Sequence, residues 1–310
     1  MDKARKILLA APRGWCAGVD RAVEIVDVTL ARYGPPIYVR KQIVHNQAVV
    51  AGFAARGVVF VDSEEEVPEG AVCVFSAHGV SPAVHDSARR RNLTVVDATC
   101  PLVTKVHVEA RRFAKAGRTI FLVGHTGHEE VEGTAGEAPG QVVLIDGAAA
   151  AAAAEAEDPG NVAYLTQTTL GVDETSGIVD ILKRRFPAIA GPRKDDICYA
   201  SQNRQEAVKA LAARSDLMLI VGSDNSSNSN RLVEVSREAG SPAHLISDES
   251  AIDPRWLDRA QVVGVSSGAS TPEHLVDGVV AYLRGHGFAD VEELAVATED
   301  VHFPLPAGIA

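Results

Sequence analysis

The sequence predicts an α/β fold of three similar units with mostly parallel sheets, set pseudo-threefold about a shared centre. Three observations lead there. Short apolar, β-branched runs alternate with amphipathic stretches along the chain. Three of the four cysteines, Cys16, Cys100 and Cys198, each open such an amphipathic stretch. Polar residues able to grip an anion return at similar distances after each of them.

In chain order the strand-like runs are KILLAA (6–11), PIYVR (36–40), VVFV (58–61), AVCVFSA (71–77), TVVDA (94–98), TIFLVG (119–124), VVLI (142–145), VAYLTQ (162–167), LMLIVG (217–222), AHLI (243–246) and VVGVSS (262–267). Strands alternating with helices imply parallel pairing through right-handed crossovers. The expected units are 1–97, 98–193 and 194–288, with a tail at 289–310 that lacks a strong period. DDIC, before Cys198, is a weak strand, and PRKDD ahead of it reads as a loop. GAAAAAAAEAEDPG (147–160) is expected to form an alanine-rich surface helix.

A chain of 310 residues that is 46% hydrophobic and 23% charged can bury a substantial core. Its net charge of -11 argues against a nucleic-acid partner, which normally meets a clustered basic surface. No apolar run approaches a bilayer span and no signal-peptide pattern is present, so a cytoplasmic protein without a membrane partner is expected.

Each of the three cysteines stands just ahead of a helical pattern, where the helix dipole favours the thiolate. They lie 84 and 98 residues apart, too dispersed for a local metal motif. Only a fold can assemble them. Thiolates suit iron–sulfur clusters or zinc, and three ligands to a four-iron cluster leave one iron open. Cys73, inside AVCVF, reads as core.

His128 and Ser226 follow Cys100 and Cys198 by 28 residues, and His45 follows Cys16 by 29. A second set, His78, Thr168 and Ser270, ends another apolar run in each unit. Polar residues beyond the carboxyl ends of parallel strands can converge on one crevice. In GHTGHEEVEGT (124–134), His128 and Glu130 are the candidates; Glu130 would deliver protons if burial raised its pKa, although EEVE also suits a solvated helix start. SDNSSNSNR (223–231), with Ser226, Ser227 and Asn228, suits an anion cradle at a helix start, or a plain capping loop.

The segments PRGWCAGVDRAV, IYVRKQIVHN, FSAHGVSP, DATCPLVTKVH, GHTGHEEVEGT, TQTTL, GPRKDDICYASQNRQEAV, GSDNSSNSNRL and SSGASTPE, taken together and in order, closely resemble the 4-hydroxy-3-methylbut-2-enyl diphosphate reductase family (IspH, or LytB) from about residue 6 to 285. The resemblance implies a central 4Fe-4S cluster on Cys16, Cys100 and Cys198, with one open iron site. It implies a diphosphate held by His45, His78, His128, Ser226, Ser227, Asn228 and Ser270, with Thr168 and Glu130 near the hydroxymethyl end. The implied reaction is reductive dehydroxylation of that small allylic diphosphate to isopentenyl and dimethylallyl diphosphate, the last step of the non-mevalonate (MEP) pathway, with a flavodoxin or ferredoxin as electron donor. An iron–sulfur dehydratase and a cluster-based redox sensor are the alternatives. Three departures stand out: Trp15 where Phe is common in relatives, Glu129 where Pro is frequent, and the polyalanine run. None is expected to touch a ligand.

Overall fold

A computed structural model describes residues 5–306 and 308–309. The strands are β1 (Arg5–Ala11), β2 (Ile37–Arg40), β3 (Val58–Val61), β4 (Val72–Phe75), β5 (Thr94–Asp97), β6 (Thr119–Val123), β7 (Val142–Ile145), β8 (Val162–Thr166), β9 (Leu217–Val221), β10 (Ala243–Ile246), β11 (Val262–Ser267) and β12 (Phe288–Ala295). The α-helices are α1 (Ala17–Tyr33), α2 (Gln47–Ala54), α3 (Pro82–Arg90), α4 (Pro101–Lys115), α5 (Glu129–Ala135), α6 (Ala148–Ala153), α7 (Val172–Arg185), α8 (Tyr199–Ala212), α9 (Ser227–Glu238) and α10 (Glu273–Gly285). The strands form three sheets, ordered β10-β9-β11-β1-β12, β3-β2-β4-β5 and β7-β6-β8, and every pairing is parallel.

All eleven apolar runs are strands. Such runs arise because a parallel sheet covered on both faces needs apolar side chains at successive positions. β9 is buried throughout. Its Leu217, Leu219 and Val221 join one core cluster while Met218 and Ile220 join another, as a two-residue period requires. In the three-stranded sheet Phe121 and Val123 likewise face one cluster, and Ile120 and Leu122 the other.

By its contacts the chain divides into two compact units. One holds the described residues up to Ala17, with His45–Val49 and Tyr199–His302, and contains the five-stranded sheet. The other holds Gly18–Val44, Val50–Cys198 and the described residues from Phe303 on, and contains the four- and three-stranded sheets. Sheet membership departs from the expected boundaries at two places. β1, read as the first strand of the first unit, pairs instead with β11 and β12. The expected tail contributes β12, an edge strand with half of its side chains exposed that, among the described residues, pairs only with β1. A charged, one-partner edge lacks the apolar signature of the inner strands.

The alanine run forms α6, but it is not simply a surface helix. Ala151 and Ala154 are buried in the cluster around Phe121, while Ala148, Ala149, Ala152 and Ala153 are exposed. The DDIC segment is an irregular approach to α8 rather than a strand. No helix among the described residues is long and apolar enough to cross a membrane.

Candidate active site

Each of the three cysteines directly precedes a helix, as its sequence position suggested. Cys16 leads into α1, Cys100 is the N-cap of α4, and Cys198 leads into α8. All three are half-buried, whereas Cys73 is fully buried in a core cluster and burial pushes its thiol up to about 12. Cys100 makes no side-chain cap hydrogen bond, so its sulfur is not committed to closing the helix.

The backbone of each cysteine is tied to a strand-end loop in the same way. The Cys16 N–H donates to Ala269 O at 3.2 Å, the Cys100 N–H to Ala77 O at 3.0 Å, and the Cys198 N–H to Thr168 O at 3.0 Å. These acceptors are Thr168 itself or the immediate neighbours of Ser270 and His78. The order differs from the expected repeat. His78, Thr168 and Ser270 were assigned to the units opened by Cys16, Cys100 and Cys198, yet each partners the next cysteine in the cycle. This is the same offset that places β1 in the sheet of β9–β12.

In the unit with the five-stranded sheet, the carboxyl ends of β9 and β11 and the start of α9 form a linked set. Ser226 is the N-cap of α9, its hydroxyl accepting from Ser229 N–H, so the capping role open from sequence is realised. Asn228 Oδ1 accepts from Ala269 N–H at 2.8 Å, and the Ser270 hydroxyl donates to His45 O at 2.9 Å. Cys16, Asn228, Ser270 and His45 are thereby joined through short contacts about Ala269 and Ser270, with Ser226 capping α9 and half-buried Ser227 opening it. Gly268 is closely packed here: a Cβ would lie 2.0 Å from Ser229 Oγ and force that buried hydroxyl to turn.

In the other unit the loops after β4, β6 and β8 carry His78, His128, Glu130 and Thr168. His128 is the N-cap of α5, and its Nδ1 accepts from Glu130 N–H at 3.2 Å. The ring proton is thereby assigned to Nε2, leaving a neutral donor. Burial, together with the nearby His78 and His125 charges, lowers the His128 pKa to about 3. Glu130 is buried with both oxygens occupied: Oε1 accepts from Thr168 N–H at 2.6 Å and Oε2 from the Thr168 hydroxyl at 3.0 Å. Burial raises its pKa, outweighing the opposing Thr168 hydrogen bonds and nearby histidine charges.

Two features of this unit lay outside the sequence reading. Glu129, expected to touch no proposed ligand residue, places Oε2 3.2 Å from His78 Nδ1, with the Ser76 hydroxyl 3.3 Å from the same nitrogen. The His78 and His128 rings lie edge to face at 5.9 Å. Just past α5, Glu137 pairs with His107 Nδ1 at 2.9 Å and Arg111 at 2.8 Å. The His107 ring also packs beneath Gly79, where φ is +79° and a Cβ would sit 3.0 Å from the ring. A glutamate opening a helix and a histidine on a helix face carry no sequence signal for such contacts.

Half-buried thiols at helix starts, and histidine, hydroxyl and amide groups at the carboxyl ends of parallel strands, give this parallel α/β protein groups of the kind that metals and anions take as ligands. The chain belongs to the LytB protein family, whose model matches residues 7–284. It is 57% identical over 97% of its length to the 4-hydroxy-3-methylbut-2-enyl diphosphate reductase of Acidothermus cellulolyticus, covering 89% of that protein. It is 58% identical over 98% of its length to the enzyme of the same name from Nocardia farcinica, covering 91% of that protein. Among solved structures, the E-1-hydroxy-2-methyl-but-2-enyl-4-diphosphate reductase from Plasmodium falciparum superposes with a TM-score of 0.95 at 36% identity, covering 99% of this chain and 97% of that one. A second, described as the terminal enzyme of the non-mevalonate pathway, superposes with a TM-score of 0.63 at 30% identity, covering 91% of this chain and 99% of that one.

Proposed function

We propose that this chain is a 4-hydroxy-3-methylbut-2-enyl diphosphate reductase, converting its allylic diphosphate to isopentenyl and dimethylallyl diphosphate. The observation that carries the proposal is its identity of 57–58% to relatives of that name over nearly the whole chain. The donor set fits the implied cofactor: three half-buried thiols, each at a helix start where a thiolate is favoured. Cys16, Cys100 and Cys198 would hold a 4Fe-4S cluster with one open iron site. Such a cluster supplies single electrons and a Lewis-acidic iron for the substrate hydroxyl.

The reaction takes up two electrons and two protons and releases water. His45, His78, His128, Ser226, Ser227, Asn228 and Ser270 would bind the diphosphate. Neutral His128 would donate through Nε2–H, and the α9 start would add its dipole. Remote binding of this kind orients the reacting end.

Glu130 would hold the proton. Its raised pKa makes the acid form accessible, and Thr168 registers which form is present. Toward the carboxylate, the Thr168 hydroxyl donates to Oε2. When Oε2 carries a proton it donates back to Thr168 Oγ1, releasing the hydroxyl hydrogen to turn elsewhere. A carboxyl and a hydroxyl thus form a two-position relay that passes one proton per reversal.

Anaerobic purification, iron analysis and turnover with a reduced dye test the reading. The expected outcome is about four irons per chain and formation of both five-carbon diphosphates. Iron-replete protein that leaves the substrate intact would refute it. Reduction through flavodoxin or ferredoxin, the proposed physiological donors, is the matching assay.

A further inference from the structure

Each of the three cysteine-led helices carries one cation about a turn and a half in, at a site where a helix face otherwise meets the core. Arg21 is 8% exposed in α1 and Arg204 is wholly buried in α8, while Lys105 in α4 is half-buried. Each holds backbone on the approach to a different cysteine. Arg21 Nη1 donates to Thr99 O at 3.1 Å and Ala98 O at 3.4 Å, the carbonyls leading into Cys100. Lys105 Nζ donates to Asp195 O at 2.6 Å and to Lys194 O, and pairs with Asp196 at 2.9 Å, on the approach to Cys198. Arg204 donates to Gly14 O at 2.8 Å and Trp15 O at 3.3 Å, the carbonyls leading into Cys16. The assignments run in a cycle: the helix of Cys16 holds the approach to Cys100, that of Cys100 the approach to Cys198, and that of Cys198 the approach to Cys16.

The peptide plane gives this arrangement a mechanical consequence. In a trans peptide the C=O and the following N–H point in opposite directions and turn together. For Cys16 and Cys100, the cation holds the carbonyl just before the cysteine while the cysteine N–H is held by Ala269 or Ala77. Both ends of that plane are pinned, so its tilt and the line of the cysteine N–Cα bond are fixed; with φ constrained by the helix the cysteine leads into, the direction of its Cα–Cβ bond follows. Before Cys198 the pins are spread over more chain. Lys105 holds residues 194 and 195, Asp196 Oδ2 accepts from Thr166 N–H at 3.0 Å, and the Cys198 N–H is held by Thr168. A buried guanidinium is unfavourable unless its donors are matched. Arg204 meets that demand with Gly14, Trp15, Ala200 and the Glu299 carboxylate.

We propose that Arg21, Lys105 and Arg204 are positioning residues for the cysteine trio, each setting the backbone that presents the next cysteine in the cycle. The inference builds on the proposed three-cysteine cluster, but its geometry is read from the backbone alone. It therefore has a readout independent of catalysis.

Hydrogen exchange followed by mass spectrometry, on the anaerobically purified full chain, tests it. In Lys105→Met, amides 194–198 are expected to exchange about tenfold faster, with amides 102–106 near wild type, and Lys105→Arg restores slow exchange. In Arg21→Met the faster segment is 97–100 rather than the start of α1. Since Arg204→Met removes a wholly buried group, Arg204→Lys accompanies it, with faster exchange expected at 14–16. Faster exchange spread evenly over the chain, or confined to the mutated helix, overturns the proposal. Iron content and the spectrum of the reduced cluster form the second arm. A selective exchange change with unaltered iron content and spectrum also overturns the positioning role. Iron-free wild-type protein would refute the cluster reading, while the exchange pattern would still decide whether the clamps act on the neighbouring approach.

Discussion

Glu130 and Glu137 are two buried carboxylates seven residues apart, one inside α5 and one just past it, and they are held in opposite ways. Glu130 is met by the N–H and hydroxyl of Thr168. Glu137 is met by His107 and Arg111. Burial disfavours the charged form of both. At Glu130 that effect prevails and the pKa rises, whereas at Glu137 the hydrogen bonds and charges of His107 and Arg111 outweigh it and the pKa falls. Neighbours of different charge thus bias one side-chain type toward its acid form at Glu130 and toward its anion at Glu137.

The largest expected effect comes from Glu130→Gln. The amide keeps the shape but gives up the titrating proton, so turnover is expected to fall about 10²–10³-fold with iron content and diphosphate affinity retained. Steady-state rates with a reduced dye check this, and an undiminished rate would strike Glu130 from the proton path. Glu137→Gln is expected to do the reverse, leaving buried His107 and half-exposed Arg111 without their anion. We expect a stability loss on the order of 2–3 kcal/mol, below the figure for a wholly buried pair because Arg111 is solvated. Denaturant unfolding measures it, and turnover by the folded fraction should stay near wild type.

The pH dependence of stability sharpens the contrast. Glu137, with a depressed folded pKa, contributes stability present above its unfolded pKa and lost as pH falls through the lower folded value. Glu130, with a raised folded pKa, binds its proton more tightly when folded. Its contribution is full below the unfolded pKa and is lost as pH rises through the raised value. Unfolding free energies across pH should therefore lose their acid-side drop in part in Glu137→Gln. The fall on raising pH should diminish in Glu130→Gln. The smallest effect is expected at Glu129, which touches the site through His78. Glu129→Gln, whose amide oxygen can still accept from His78, should weaken binding of inorganic diphosphate only about three- to tenfold, the worth of one ordinary hydrogen bond. Calorimetry reads this directly, and an unchanged affinity would make the Glu129–His78 contact incidental.

Much of this was legible in the sequence, for definite reasons. An inner parallel strand must be apolar on both faces, so KILLAA, TIFLVG and LMLIVG announced themselves. The cysteines stood before helical periods and do lead into helices. β12 was missed because an edge strand bearing Asp290, Glu292 and Glu293 has one partner and no apolar period. The cyclic offset escaped because periodicity identifies a strand but not its sheet. Glu129 and the cations at 21, 105 and 204 escaped for a related reason: their partners are backbone carbonyls, distant carboxylates or rings brought near only by folding. Spacing did hold a trace of the clamps, since Arg21 and Lys105 each follow a cysteine by five residues and Arg204 follows by six.

The position of β1 has a consequence for how the molecule is made. Its Lys6 lies beside Val262 on one side and Asp290 on the other. β1 therefore leaves the ribosome long before β11 and β12, and its backbone groups wait for those later segments to find their partners. Until then Ile7, Leu8 and Leu9 travel uncovered beside a growing nascent chain, a stretch for chaperones to guard. Deleting β11 and β12 would strand β1 as surely as it removed them, since they are its two sheet neighbours.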